Sequence, residues 1–174
     1  MTSRVLVAFA TKYGSTQEVA ESIAAALRER GLEVDVQAMR EVRSLEGFRA
    51  VVLGAPLYIS LWPQEARRFL ARQREALTQR PVALFALGPL HIDEKEMEGT
   101  RAQLDKELTK YPWLKPVALE LFGGRYDPAR LRFPDTLMAT FPASPLKGMP
   151  ASDARDWNAI RAWASSLIGK LQTA

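Results

Sequence analysis

Cysteine is absent from this chain, and histidine occurs once, at His91. The first absence excludes disulfides, thiolate metal centres and cysteine nucleophiles. The second leaves too few imidazoles for a histidine-rich metal site. No apolar run is long enough to span a bilayer. No secretory leader is read either, because Ser3 and Arg4 lead directly into a short strand-like run. The cytoplasm is therefore the expected compartment. Two familiar phosphate patterns are also missing. Without G-x-G-x-x-G an ordinary dinucleotide site is not expected. Without G-x-x-x-x-G-K followed by Ser or Thr, neither is an ATPase or GTPase.

What is present suits one domain over residues 1–174 with its own core: 174 residues, 47% hydrophobic. Lys and Arg outnumber Asp and Glu by 24 to 20, and the sequence pI is about 9.6. That balance favours anionic partners weakly. Arg67, Arg68, Arg72, Arg74 and Arg80 come close together. They read as a solvated helix face, with a patch for an acidic substrate or lipid headgroups as the competing reading. Nucleic acid is not an expected partner, since no reader motif accompanies the charge.

The hydrophobic pattern alternates between two periods. Residues 4–10 read as a first strand, with Val5, Leu6, Val7 and Phe9 in a continuous apolar run, as suits a central parallel strand covered on both faces. Ser15 or Thr16 can cap the helix that follows, and Ser15 and Glu18 have capping-box spacing. Val19, Ile23 and Leu27 give that helix an apolar face, and Gly31 ends it. A second strand spans 32–37, and one helical turn is expected near 41–45. A third strand spans 50–55. Pro63 suits the first turn of a helix that turns Ala66, Phe69, Leu70 and Leu77 inward. A fourth strand spans 81–87, and Leu104, Leu108 and Tyr111 mark another helix. A fifth strand spans 116–122. The last helix is expected to start near Ser152 or Asp153 and to present Ile160, Ala164, Leu167 and Leu171. This pattern predicts an α/β fold, a doubly wound parallel sheet with helices on both faces and right-handed crossovers. Residues 125–150 form a long proline-bearing loop without clear periodicity, of the kind that is usually functional or mobile.

In such a fold, ligands sit outside the carboxyl ends of the strands. Three turns meet there, at 11–16, 56–62 and 88–94. The first has a definite chemistry. Thr11, Ser15 and Thr16 offer hydroxyls, and Gly14 lets the backbone turn tightly. Unpaired N–H groups open the next helix. Together they make a nest for a phosphate, best a small terminal phosphomonoester. Lys12 adds long-range attraction or faces water. An ordinary capped strand–helix turn is the competing reading. Asp93, Glu94, Glu96 and Glu98 read as a solvated helix start rather than a metal site.

T-K-Y-G-S-T, after a first strand and before Gln17-Glu18-Val19-Ala20, resembles the FMN phosphate loop of flavodoxins. Tyr13 stands where many members have Thr or Ser. V-V-L-G-A-P-L-Y resembles that family's third strand and isoalloxazine loop. The likeness covers almost the whole chain and implies a five-stranded sheet of order 2-1-3-4-5. A narrower likeness joins L-F-G-G-R-Y-D and K-G-M-P-A-S-D-A-R-D-W-N-A-I to the flavodoxin-like, menaquinone-dependent protoporphyrinogen oxidases. Those enzymes pass electrons from a porphyrinogen to a quinone. Their insertion after the fifth strand helps meet membrane and substrate; here it is short.

The resemblance implies site residues. Thr11, Lys12, Tyr13, Gly14, Ser15 and Thr16 would surround the FMN phosphate. Pro56, Leu57, Tyr58 and Ile59 would form one wall beside the ring, with Tyr58 stacked on it or packed locally. Trp62 is the alternative ring neighbour, or a cover for the next helix. Leu87, Gly88, Pro89 and Leu90 would form the third loop, where Pro89 offers no donor. His91 invites a proton-transfer role or is a solvent-exposed residue. No catalytic side chain and no metal ligand are demanded, since the flavin carries the redox chemistry. Two functions follow. One is an FMN-dependent oxidoreductase acting on a small redox substrate, a quinone or an anionic porphyrinogen-like molecule, with at most peripheral membrane contact. The other is a flavodoxin-type carrier docking a protein electron donor. A scaffold that binds no flavin is the third alternative.

Overall fold

The computed structural model describes residues 4–57, 61–90, 93–144 and 147–172. Five strands form a wholly parallel sheet: β1 (Arg4–Phe9), β2 (Val34–Ala38), β3 (Phe48–Pro56), β4 (Val82–Leu87) and β5 (Ala118–Phe122). Their order is β2-β1-β3-β4-β5, as the resemblance implies. Chain direction across the sheet reverses at β1, with β2 on one side and β3 on the other. The register sets Phe9 beside Gly54 and Pro56 beside Leu87. The turns leaving β1, β3 and β4 therefore open side by side.

Each strand face is covered. On one side, α1 (Ser15–Glu29) and α6 (Trp157–Gln172) pack Val19, Ile23, Leu27, Ile160 and Leu167 against Val5, Val7, Val52 and Phe85. On the other, α2 (Gln64–Arg72), α3 (Arg74–Thr78) and α4 (Glu94–Leu108) pack Phe69, Leu70, Leu77 and Leu104 against Leu6, Val51, Leu53 and Leu84. Alternating strand residues thus serve opposite layers. Among the described residues no helix is long and apolar enough to cross a membrane.

Three local expectations are corrected. No helical turn forms at 41–45. The chain turns at 39–41, with Glu41 N–H donating to Ala38 O at 2.9 Å, and then runs irregularly. Met39, Val42 and Leu45 are buried there, so this segment covers the sheet without being a helix. Its carbonyls still need partners. Arg72 donates to Met39 O at 3.2 Å and Val42 O at 3.4 Å. Arg80 donates to Leu45 O at 2.5 Å and Phe48 O at 2.6 Å. Two arginines of the cluster read as a solvated face are thus backbone staples, and burial holds the Arg80 pKa below its ordinary value. Arg74 lies over the Trp113 ring at 5.7 Å. Arg67 and Arg68 are exposed.

The last helix begins at Trp157, later than expected, because Asp156 caps it: its carboxylate accepts from Ala159 N–H at 3.0 Å. Ser152 and Asp153 instead form a strand, β7 (Ser152–Asp153), antiparallel to β6 (Arg125–Tyr126). This ribbon closes the 125–150 segment into an insertion with local order. It carries a 3-10 turn at Pro128–Arg130, capped by Asp127, and a short helix, α5 (Asp135–Met138).

Candidate functional site

Helix α1 does not start on a capping box. Its N-cap is Gly14, at φ 89°, and no side chain caps it. That left-handed backbone suits glycine. The capping-box expectation fails because Glu18 is taken elsewhere: its carboxylate pairs with Arg155 at 2.5 Å and Arg125 at 3.6 Å. Ser15 is left to line the cleft beside the turn. Gly14 N–H donates to the Thr11 hydroxyl at 2.9 Å, so Thr11 folds back into the turn. Thr16 is fully buried, and its hydroxyl has no hydrogen-bond partner among the described residues. A buried hydroxyl without a partner is costly. In a hydroxyl-bearing turn at a helix start, an anionic oxygen is the group that satisfies it. The donor set therefore fits a phosphate.

A cleft of about 530 Å³ opens beside this turn. It is large enough for a flavin-sized molecule. Lys12, Tyr13 and Ser15 line it from the first turn, Pro56 and Leu57 from the second, and Leu87, Gly88 and Leu90 from the third. Eight of the anticipated residues are thereby brought to one space. Thr11, Gly14 and Thr16 belong to the turn without being on the wall of the cleft. Pro89 is buried, and its carbonyl accepts from Gly124 N–H at 2.8 Å. It clamps two loops. Tyr58, Ile59 and His91 lie outside the described residues. Trp62 is 3% exposed and sits in the lower core against Tyr111, with ring centroids 5.7 Å apart. It covers the neighbouring helix.

The far wall comes from the 125–150 segment that the sequence marked out as functional or mobile; which of its side chains form the wall was not legible. Gly124, Arg125, Tyr126, Arg130, Leu131 and Met138 come from the insertion. A Cβ on Gly124 would lie 2.8 Å from the Gly88 carbonyl, so only glycine allows these loops to meet. Behind this wall, Arg155 ties the ribbon to the turn. Its side chain is 3% exposed and donates to Asp153, to Glu18 and to the Ser15 carbonyl at 3.3 Å. The bonded guanidinium holds the Asp153 carboxyl below its usual range. Tyr13, at the position where many members of the resembled family have Thr or Ser, donates its phenol to Asp135. Burial and this bond push its pKa up. The signal that could have found this contact was Asp135, which with Asp127 is one of two acids in an otherwise mostly basic and apolar stretch.

The flavodoxin domain family matches residues 6–153. The chain is 25% identical over 138 residues to protoporphyrinogen IX dehydrogenase (quinone) of Escherichia coli strain K12, covering 78% of this chain and 76% of that protein. Oxidised flavodoxin 1 from Bacillus cereus superposes with a TM-score of 0.60 at 17% identity, over 98% of this chain and 100% of its own. A short-chain flavodoxin associated with a PDU bacterial microcompartment does so with 0.61 at 15% identity, over 99% and 100%.

Proposed function

Because the chain belongs to the flavodoxin domain family, we infer that it is an electron-transfer protein with FMN as its cofactor, seated across the three turns. The observation that carries the reading is the hydroxyl-bearing first turn, in which Lys12, Tyr13 and Ser15 line the cleft and the buried Thr16 hydroxyl has no partner among the described residues. When bound, FMN supplies one- or two-electron transfer. The chain supplies position. The hydroxyls of Thr11, Ser15 and Thr16 and the backbone N–H groups that open α1 would take the phosphate, and Lys12 adds charge. Pro56 and Leu57 stand beside Leu87, Gly88 and Leu90 along the cleft and would give the ring a largely apolar lining. The test is the visible spectrum of purified protein, then heat release and mass identification of the chromophore. Stoichiometric FMN supports the reading; a colourless protein that also fails to bind added FMN overturns it.

A second reading concerns what exchanges the electrons. Flavodoxins of the carrier type dock a protein donor. Here the insertion walls the cleft with Arg125, Arg130, Leu131 and Met138, which favours a small flat molecule with an anionic group. The E. coli relative is named for protoporphyrinogen IX and quinone. A porphyrinogen-like donor would lose electrons and protons, and a quinone would take up both to become the quinol. Phe133, Leu137 and Phe141 are 79%, 50% and 54% exposed beside Arg130 and Arg132, a composition suited to peripheral contact with an anionic bilayer holding the quinone. Turnover of porphyrinogen and quinone by the isolated protein supports this reading. Cycling only with a protein donor supports the carrier.

A further inference from the structure

Helix α5 buries a single residue, and that residue is a carboxylate, Asp135. Thr136, Leu137 and Met138 are exposed. Apolar packing therefore does not seat this helix. What seats it is a polar contact to the first turn, far away in sequence. The Asp135 carboxylate accepts from the Tyr13 phenol and pairs with Lys12 at 2.5 Å. Two neighbours hold the two ends of Tyr13. Arg132 N–H approaches the Tyr13 hydroxyl at 3.5 Å, and Arg130 donates to the Tyr13 carbonyl at 3.4 Å. A buried carboxylate is tolerated only when paired and hydrogen-bonded, so these contacts form or break together.

We propose that Asp135 is a positioning residue for the flavin phosphate, acting through Lys12 and Tyr13 to hold the first turn in its binding shape. This rests on the reading of the turn as the FMN phosphate site. The coupling is reciprocal. If Asp135 shapes the turn for phosphate, phosphate in the turn holds the insertion in its seat. Riboflavin, which has no phosphate, cannot act through this link.

The experiment titrates wild type and Asp135→Asn with FMN and with riboflavin by flavin fluorescence, and follows tryptic cleavage after Arg130 and Arg132. The expected result is an FMN Kd raised about tenfold, the scale of one hydrogen bond to a charged group. The riboflavin Kd should stay within about twofold. FMN should slow cleavage of the wild-type insertion more than riboflavin does, and that difference should be lost in the variant. Tyr13→Phe keeps the ring, removes the hydroxyl's contacts to Asp135 and Arg132 and should raise the FMN Kd about threefold; it decides the matter if Asp135→Asn does not fold. Equal losses for both flavins, an unchanged FMN Kd, or a tighter one through release of Lys12 would each overturn the proposal. A wild type that binds no FMN sinks the phosphate reading itself, whereas a wild type that binds it beside indifferent variants sinks only the role of Asp135.

Discussion

Replacing Thr16 by valine removes one hydroxyl and keeps the side chain's shape and branching. That hydroxyl is fully buried and has no partner among the described residues. Such a group costs about 1–3 kcal/mol. Thr16→Val should therefore raise flavin-free stability, by about 1 kcal/mol at the low end of that range. FMN binding should move the other way. A hydrogen bond to a charged group contributes about 1.5–3 kcal/mol, so the FMN Kd should rise about 10- to 150-fold. Riboflavin affinity should not change. The opposed signs separate this from ordinary damage, which would lower stability and both affinities together. Urea unfolding of the flavin-free protein gives the first quantity and fluorescence titration the second. A destabilised flavin-free variant, or parallel losses for FMN and riboflavin, refutes the phosphate role of Thr16.

Other perturbations test the frame around the site. Arg80→Met removes donors to Leu45 O, Phe48 O and Ala76 O, and should cost about 2–3 kcal/mol in urea unfolding, whereas exposed Arg68→Met should stay within about 0.5 kcal/mol. Equal effects would restore the solvated-face reading. Gly124→Ala forces a Cβ against the Gly88 carbonyl and should cost about 1–3 kcal/mol and weaken flavin binding, since both glycines line the cleft. Unchanged melting and affinity would mean the loops separate freely. Asp153 has a pKa below its ordinary 3.8, chiefly through Arg155. A depressed carboxyl stabilises the fold above its unfolded pKa, and that contribution is lost as pH falls through the folded value. Stability should therefore decline in acid below about pH 4, and Asp153→Asn should flatten part of that slope. An identical acid profile for the variant would deny the linkage.

The sequence by itself determined the sheet and the hydroxyl-bearing turn. Both are written locally. Continuous apolar runs mark strands covered on two faces, and Thr11, Gly14, Ser15 and Thr16 stand within one turn of chain. Strand order came from resemblance, since β2 and β3 read alike until something places β1 between them. The errors share a cause. At 41–45, at the capping box and at residues 152–153, local propensity was right about what is possible, but a distant partner decided the outcome. Arg72 and Arg80 replaced a helix's own hydrogen bonds, Arg155 took the Glu18 carboxylate, and Arg125–Tyr126 recruited Ser152–Asp153 into a ribbon. The far wall of the cleft belongs to the same class. Asp135 reads as one more surface acid until the fold carries it to Lys12 and Tyr13, because charge pairing depends on distance in space, which only tertiary packing sets.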